Sequence, residues 1–517
     1  MGEIHTIKDD QVDDLFSVSH DQHVSMEKYI KILQEDPNNA QASFFLGLLL
    51  HQVNETEKAE PLITQAITLG HENYDVYCTL GEIYRSMKEF EKSSLYEKKA
   101  IDFNPDYIDG HYNIGCNFLS LGNFIKAIES FRHVISQKPD HYKAHHNLGL
   151  AYYSEKMFKD AIDSYNNALK IKPDFSHPYL GKGNSLREMG HPEDAVANFR
   201  KAIALDADFA EAHNNLGTTL KDLGSYEGAI HSFNRAKSLA PKNPGVRKNI
   251  GMINLQMGNF EEGWQEYSWR RFEENVELAE RIYSQPLWTG EDLKGKTILV
   301  YTEQGLGDTI QFVRYLDLLQ DQGGHVVLDA PIPLIPLLEN MECIAILSKE
   351  NDLIPPFDYH VPLMELPRLF STNVKNIPSP GGYLRANKEL VKSWEKRLQK
   401  NKGFRIGISW AGSSTYLNDR DRSMNLKYFE PLLGIKECNF FSLQFGERCQ
   451  DIITLGLENT LKDLGKDLGG FMEPAAAINN MDLVISVDSS MAHLAGALGK
   501  PVWTLLSFNP DWRWMLN

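Results

Sequence analysis

The sequence predicts a helical solenoid followed by two parallel α/β lobes, and two features of its 517 residues carry that prediction. The first is a comb: Gly47, Gly81, Gly115, Gly149, Gly183, Gly217 and Gly251 fall 34 residues apart without a slip. The second is that the comb stops, and after about residue 285 short β-rich runs alternate with helical stretches. A fixed period of this length means stacked supersecondary units. Alternating strand and helix means parallel sheets with crossover helices.

Other positions keep the phase of the comb. Ala59, Ala127, Ala161, Ala195 and Ala229 lie twelve after a glycine, and Phe131, Tyr165, Phe199, Phe233 and Tyr267 lie sixteen after. A small residue where two helices cross lets backbones approach, and the aromatic fills the gap to the next hairpin. Pro105, Pro139, Pro173 and Pro241, twenty-four after a glycine, end or restart a helix because proline has no amide donor. These residues, as in Asn147-Leu148-Gly149-Leu150-Ala151-Tyr152 through Ala161, Tyr165, Ala168 and Pro173, closely resemble the tetratricopeptide repeat over about residues 40 to 270. Val24 to Pro37 reads as the second helix of an eighth, degenerate unit, with Val12, Leu15 and Phe16 in a polar cap. The aromatic and basic run from Trp264 to Arg271 is the expected dock for whatever follows.

Composition narrows the class of function. A formal charge of -17, from 53 basic and 70 acidic residues, opposes nucleic acid as a partner. Cys78, Cys116, Cys343, Cys438 and Cys449 are scattered without a Cys-x-x-Cys pair, so they read as reduced thiols. The start lacks the regions of a signal peptide, and no run approaches the length of a membrane span. Together these point to a soluble, cytoplasmic protein.

In the second half, strands are expected at Thr297 to Tyr301, His325 to Leu328, Cys343 to Leu347, Arg405 to Trp410, Asn439 to Leu443, Leu483 to Val487 and Val502 to Leu506. The Pro- and Gly-rich stretch Ile377 to Gly382 separates two series, which gives two Rossmann-like lobes. The resulting division is a cap and degenerate repeat (1–39), seven repeats (40–273), a junction (274–290), a first lobe (291–380), a linker helix (381–402) and a second lobe (403–517). The second lobe reads as incomplete, because the chain ends just after a strand and loop.

Two stretches carry chemistry. Glu303-Gln304-Gly305-Leu306-Gly307-Asp308 follows a strand and opens a helix, the place where open parallel sheets put ligands. Gly305 and Gly307 admit a substrate to the backbone, while Asp308 is either a helix cap or an ionised functional carboxylate. Strand, polar turn and helix recur at Leu483 to Leu498. There the amides near Ser489 and Ser490 suit a phosphate and Asp488 could accept from hydroxyls, or the turn is a plain cap with His493 packed beside it. Arg420-Asp421-Arg422 could supply a counter-charge to phosphate or be merely solvated, and Asp419-x-Asp421, following a polar loop rather than a core strand, reads as structural or solvated rather than metal-binding.

With Gly407-Ile408-Ser409-Trp410-Ala411-Gly412, these motifs resemble the heptosyltransferase family, and with the solenoid they resemble the bacterial tetratricopeptide-repeat glycosyltransferases. The resemblance implies two lobes of the GT-B type that move a sugar from a nucleotide-diphosphate sugar to an acceptor, with inversion and without a metal or other cofactor. It makes Asp308 the general base, Asp488 the holder of donor-sugar hydroxyls, and Ser489, Ser490 and His493 the diphosphate site. Arg422 falls about where the family has a basic phosphate ligand, and Glu447 about where a carboxylate holds the ribose. Asp-Ser-Ser stands where the family has Asp-Thr-Gly, which changes the turn but leaves amide donors available.

Asn113, Asn147, Asn215 and Asn249 lie two before a comb glycine, with Gly181 interrupting the row. Such a row could grip an extended peptide through its backbone, resembling the asparagine ladder of O-linked N-acetylglucosamine transferase, or could simply tie hairpins together. Two functions follow: a glycosyltransferase whose solenoid holds a protein or glycan acceptor, or an interaction scaffold with inactive transferase-like lobes.

Overall fold

A computed structural model, which describes residues 20–273, 283–349, 354–379, 381–399, 403–413 and 419–516, follows the comb hairpin by hairpin. Among the described residues fifteen helices succeed one another from His20–Glu35 to Phe260–Tyr267. The chain then continues into two parallel sheets. Contacts divide it into two units, Met1–Thr219 and Leu220–Asn517.

In the first unit three comb glycines, Gly115, Gly149 and Gly183, face aromatic rings, whereas Gly47 faces Ile63 and Gly81 faces Glu97. A methyl group added to Gly115 or Gly183 would lie 2.7 or 2.5 Å from the ring of Phe131 or Phe199, both fully buried. The alanines of the same phase, Ala59, Ala127, Ala161 and Ala195, are also fully buried. A second comb runs through both units. Asn54, Lys88, Gly122, Lys156, Gly190, Gly224 and Gly258, each seven after a comb glycine, all adopt φ between 60° and 82°. This left-handed residue stops the first helix of every hairpin. Only four of the seven are glycine, which hides the pattern in the sequence. The helix expected from Val24 begins at His20 and ends at Glu35, and the cap residues Val12, Leu15 and Phe16 lie outside the described residues.

In the second unit the first sheet holds β1 (Thr297–Tyr301), β2 (His325–Ala330), β3 (Ile344–Lys349) and β4 (Tyr359–Pro362), in the order β3-β2-β1-β4. The second holds β5 (Phe404–Ser409), β6 (Cys438–Ser442), β7 (Leu461–Asp463), β8 (Leu483–Val487) and β9 (Val502–Leu505), in the order β7-β6-β5-β8-β9. Every pairing is parallel. Strands β4 and β7 were not expected: the first is four residues with a histidine and a proline, the second three residues at a sheet edge. Neither is long enough to display a pattern.

Chain order reverses at β1/β4 in one sheet and at β5/β8 in the other. Ligand crevices of open α/β sheets form at the carboxyl ends of strands beside such reversals. One apolar core joins Trp264 and Tyr267 of the last hairpin to Ile298, Val300 and Phe312 of the first sheet region and to Leu494, Ala495 and Trp512 of the second. The run from Trp264 to Arg271 therefore packs where the sequence placed a dock.

Candidate functional site

The loop after β1 is fixed from beneath. Glu303 is buried and takes both Nε (2.9 Å) and Nη2 (2.6 Å) of Arg270, whose Nη1 reaches Glu365 at 3.0 Å. All three side chains are about 2% exposed. Two carboxylates around one guanidinium suit its planar fork of donors. The next residue, Gln304, has φ 62° and donates from Nε2 to the Tyr267 hydroxyl at 2.9 Å. This bent backbone delivers Gly305 to the start of the helix Leu306–Phe312.

Asp308 does two things at once. Its Oδ2 accepts the Gly305 N–H at 3.0 Å, so it caps the helix, while Oδ1 faces Arg513 and accepts from its Nη2. Arg513 also donates from Nη1 to Asp511 at 2.7 Å and lies over the Trp512 ring, 4.3 Å from its centroid. The run Asp511-Trp512-Arg513-Trp514 thus closes the site from a third direction. Sequence reasoning read it only as the end of the chain; its signal was the dense mixture of aromatic and charged residues.

At the reversal point of the second sheet, β8 leads into Asp488 and the helix Ser490–Ala497. Ser489 caps that helix by accepting the Met491 N–H at 3.3 Å, and its hydroxyl lies 3.1 Å from that of Ser486. The two helix starts approach closely. A methyl group on Gly307 would sit 3.1 Å from His493 Cδ2 and 3.6 Å from Ser490 Cα, so this glycine serves the meeting of the two lobes. His493 stacks on Trp514 with ring centroids 5.2 Å apart, and burial together with the charge of Arg513 pushes its pKa down to about 4. At neutral pH the imidazole is uncharged.

The carboxylates differ in character. Burial and the neighbouring charge of Asp511 push the Asp488 carboxyl above its usual range, against the opposing pull of Trp514, Arg513 and Arg422. Burial acts in the same sense on Asp511, but Arg513 overcomes it and holds that carboxyl low. Arg422 reaches into the site over Gly412, where an added methyl would lie 2.6 Å from Nη2, and its Nε lies 3.3 Å from Asp419 Oδ1. Asp419 also accepts from Ser423 at 2.8 Å. Asp308, Asp488, Ser489, Ser490, His493 and Arg422 are thus gathered with Gly305 and Gly307 around the two reversal points. Glu447 is not: it is exposed in the turn Glu447–Cys449 after β6, and no hydrogen bond or ion pair joins it to the cluster among the described residues.

The asparagine row has a different setting. Asn113 is buried, donates to Glu97 at 2.8 Å and accepts from Arg85. Asn147 donates to the Tyr112 hydroxyl at 3.0 Å and to Cys116 Sγ at 3.3 Å, and Asn215 donates to Asn184 at 3.0 Å. Each of these three links its helix to the preceding repeat. Asn147, Asn215 and Asn249 are half-buried. Among the described residues no cluster of His, Cys, Asp and Glu is arranged to hold a metal ion, and no helix is long and apolar enough to cross a membrane.

Comparison with known proteins agrees with this architecture. Tetratricopeptide-repeat models match residues 74–107, 108–141, 142–175 and 180–244, and the glycosyltransferase family 9 (heptosyltransferase) model matches residues 461–512. The protein FlbA of Caulobacter vibrioides is 30% identical over 272 residues, covering 47% of this chain and 45% of FlbA. The chain thus spans less than half the length of that curated relative. Among solved structures, the tetratricopeptide-repeat protein YrrB is 20% identical over 36% of this chain and 96% of its own, with a TM-score of 0.32. TTC0263 of Thermus thermophilus is 19% identical over 34% and 95%, with a TM-score of 0.31.

Proposed function

From the premise that this chain carries tetratricopeptide repeats ahead of a glycosyltransferase family 9 region, we propose that it transfers a sugar from a nucleotide-diphosphate sugar to a protein or glycan acceptor. The observation that carries the reading is the convergence of Asp308 with the Asp488–His493 helix start at two sheet reversal points, where Gly307 meets His493 and Ser490 and Arg513 pairs with Asp308. Asp308 takes the proton of the acceptor hydroxyl as its oxygen bonds to the anomeric carbon. The bond from that carbon to the diphosphate breaks on the opposite face, and the nucleoside diphosphate leaves with the negative charge. Arg422 and the first-turn amides of Ser490–Ala497 would meet that charge, joined by Arg513 once its guanidinium leaves Asp308, and preorganised donors of this kind need no metal. Asp488, held toward its neutral form, meets donor-sugar hydroxyls. We set this activity in the cytoplasm, on the strength of the unpaired thiols.

In this reading the repeats present the acceptor or a partner protein. Asn113 is buried whereas Asn147, Asn215 and Asn249 are half-buried, so these three are the members of the row that would meet a bound chain. One observation favours the scaffold alternative: Arg513 occupies Asp308 Oδ1, which would leave a base neutralised unless substrate draws the guanidinium away.

A panel of nucleotide-diphosphate sugars, assayed for binding and for transfer or hydrolysis with the full chain, separates the two. Asp308→Asn is expected to lower kcat by about 10²- to 10⁴-fold with donor affinity retained. Absence of binding by every donor would overturn the transferase reading and leave the scaffold.

A further inference from the structure

One repeat departs from the rule that the other six obey. Immediately before the comb glycine stand Leu46, Leu80, Ile114, Leu148, Leu216 and Ile250, all no more than 7% exposed. At the same phase in the remaining unit stands Lys182. An ammonium at an aliphatic packing position loses hydration, and its pKa is lowered by burial and then by the charge of Lys201, with Asp194 opposing. No carboxylate forms an ion pair with it among the described residues; its Nζ donates instead to Asn166 Oδ1 at 2.9 Å. The preceding residue breaks a pattern too, since Gly181 replaces the asparagine of the row and leaves no side chain there.

Lys182 lies on an open groove of about 630 Å³, which Asn166, Asn167, Lys170, Tyr179 and Lys201 also line. Asp163 is its single carboxylate. Each lysine has a neutral partner: Lys170 donates to Asn167 at 3.1 Å, and Lys201 lies 5.8 Å from the centre of the Tyr179 ring. An ammonium has three donors, so each retains capacity for an anion. Three positive groups without ion-pair partners, in a chain of net charge -17, mark a local reversal of the surface field.

We propose that this groove docks an acidic peptide segment, with spaced Asp or Glu carboxylates on Lys170, Lys182 and Lys201 and peptide groups on the Asn166 and Asn167 amides. Lysine suits this task because a point charge on a flexible stem accepts carboxylates in varied geometry, whereas a single planar anion is better held by arginine. The groove is also far larger than one carboxylate or phosphate. The inference goes beyond sugar transfer, because docking here requires no donor and involves none of the residues at the lobe reversal points.

The test uses full-length protein and a fluorescein-labelled dodecapeptide of alternating Glu and Gly, read by anisotropy at low salt. Binding to one site that weakens as salt rises is expected, with none for the matching Gln-Gly peptide. Lys182→Leu installs the aliphatic residue of the other repeats, so the fold is kept, and it should raise Kd about tenfold or more with the helical circular dichroism unchanged. Lys201→Gln should act in the same direction. Equal binding by parent and Lys182→Leu, or none by the parent, overturns the proposal. Displacement of the peptide by equimolar inorganic phosphate also overturns it, by making the groove a small-anion site.

Discussion

The hairpins of the first unit and the sheets of the second are held by contacts of different range. Gly115 meets Phe131 sixteen residues on, and Gly183 meets Phe199 at the same interval, so each hairpin repeats a short local rule. In the second unit Arg270 binds Glu303 across 33 residues and Glu365 across 95, and Arg513 reaches Asp308 across 205. Local rules recur and can be counted. Long-range charge constellations occur once and leave no periodic trace.

The sharpest way to break that comparison is at Arg270. Removing it leaves Glu303 and Glu365 as buried carboxylates without their shared cation, and breaking such a cluster costs about 3–5 kcal/mol. Arg270→Leu is therefore expected to abolish amide hydrogen-exchange protection across the sheets of residues 297–505 while leaving helices before residue 219 protected. Equal loss in both regions would mean that the two are not energetically distinct.

The same contrast explains what the sequence disclosed about the site. The strand-loop-helix turns ending in Asp308 and Asp488 were legible because a β-rich run, a small polar turn and a helical run lie contiguously. Arg513 and Asp511 were not, since nothing near them says that a guanidinium will lie against a carboxylate 205 residues away. The left-handed comb was half-visible for another reason: Asn54, Lys88 and Lys156 tolerate a conformation that glycine adopts more easily. The choice of Glu447 as a ribose ligand came from family position alone, and its exposed turn supplies no local support.

Among the described residues the histidines pushed down furthest lie one in each unit, and they let acid probe the two regions separately. His146 in the first unit is buried against Tyr165, Phe175 and His177, its Nδ1 has no partner, and burial with the charge of His177 lowers its pKa to about 4. The folded pKa is thus below the unfolded value of about 6.5, so the unfolded state takes up the proton first. The neutral ring's contribution is complete above pH 6.5 and is lost as pH falls toward 4, by at most about 3 kcal/mol. His146→Phe should flatten the decline in first-unit hydrogen-exchange protection between pH 7 and pH 4.5. It should leave untouched the parallel decline in the second unit, to which His493, lowered by burial and then by Arg513, contributes most among its histidines. An unchanged slope in the first unit would remove His146 as its source.

The smallest expected effect lies where the two kinds of packing meet. Gly47 and Gly251 hold the same place in the repeat, and a methyl group on either would be closer than contact distance to a neighbour. For Gly47 the neighbour is the Ile63 side chain at 2.6 Å, which can change rotamer. For Gly251 it is the backbone nitrogen of Tyr267 at 2.3 Å, in a segment anchored by Gln304 and by the Arg270 cluster. Alanine in a helix gains up to about 1 kcal/mol over glycine, so Gly47→Ala should be close to neutral once Ile63 shifts. Gly251→Ala cannot be relieved by a side chain and should cost about 1–3 kcal/mol, read as a lower denaturation midpoint for the second unit. Equal effects would show that the last hairpin obeys the local rule of its predecessors. Unequal effects would show that identical sequence phase hides a different mechanical role, set by what the hairpin packs against.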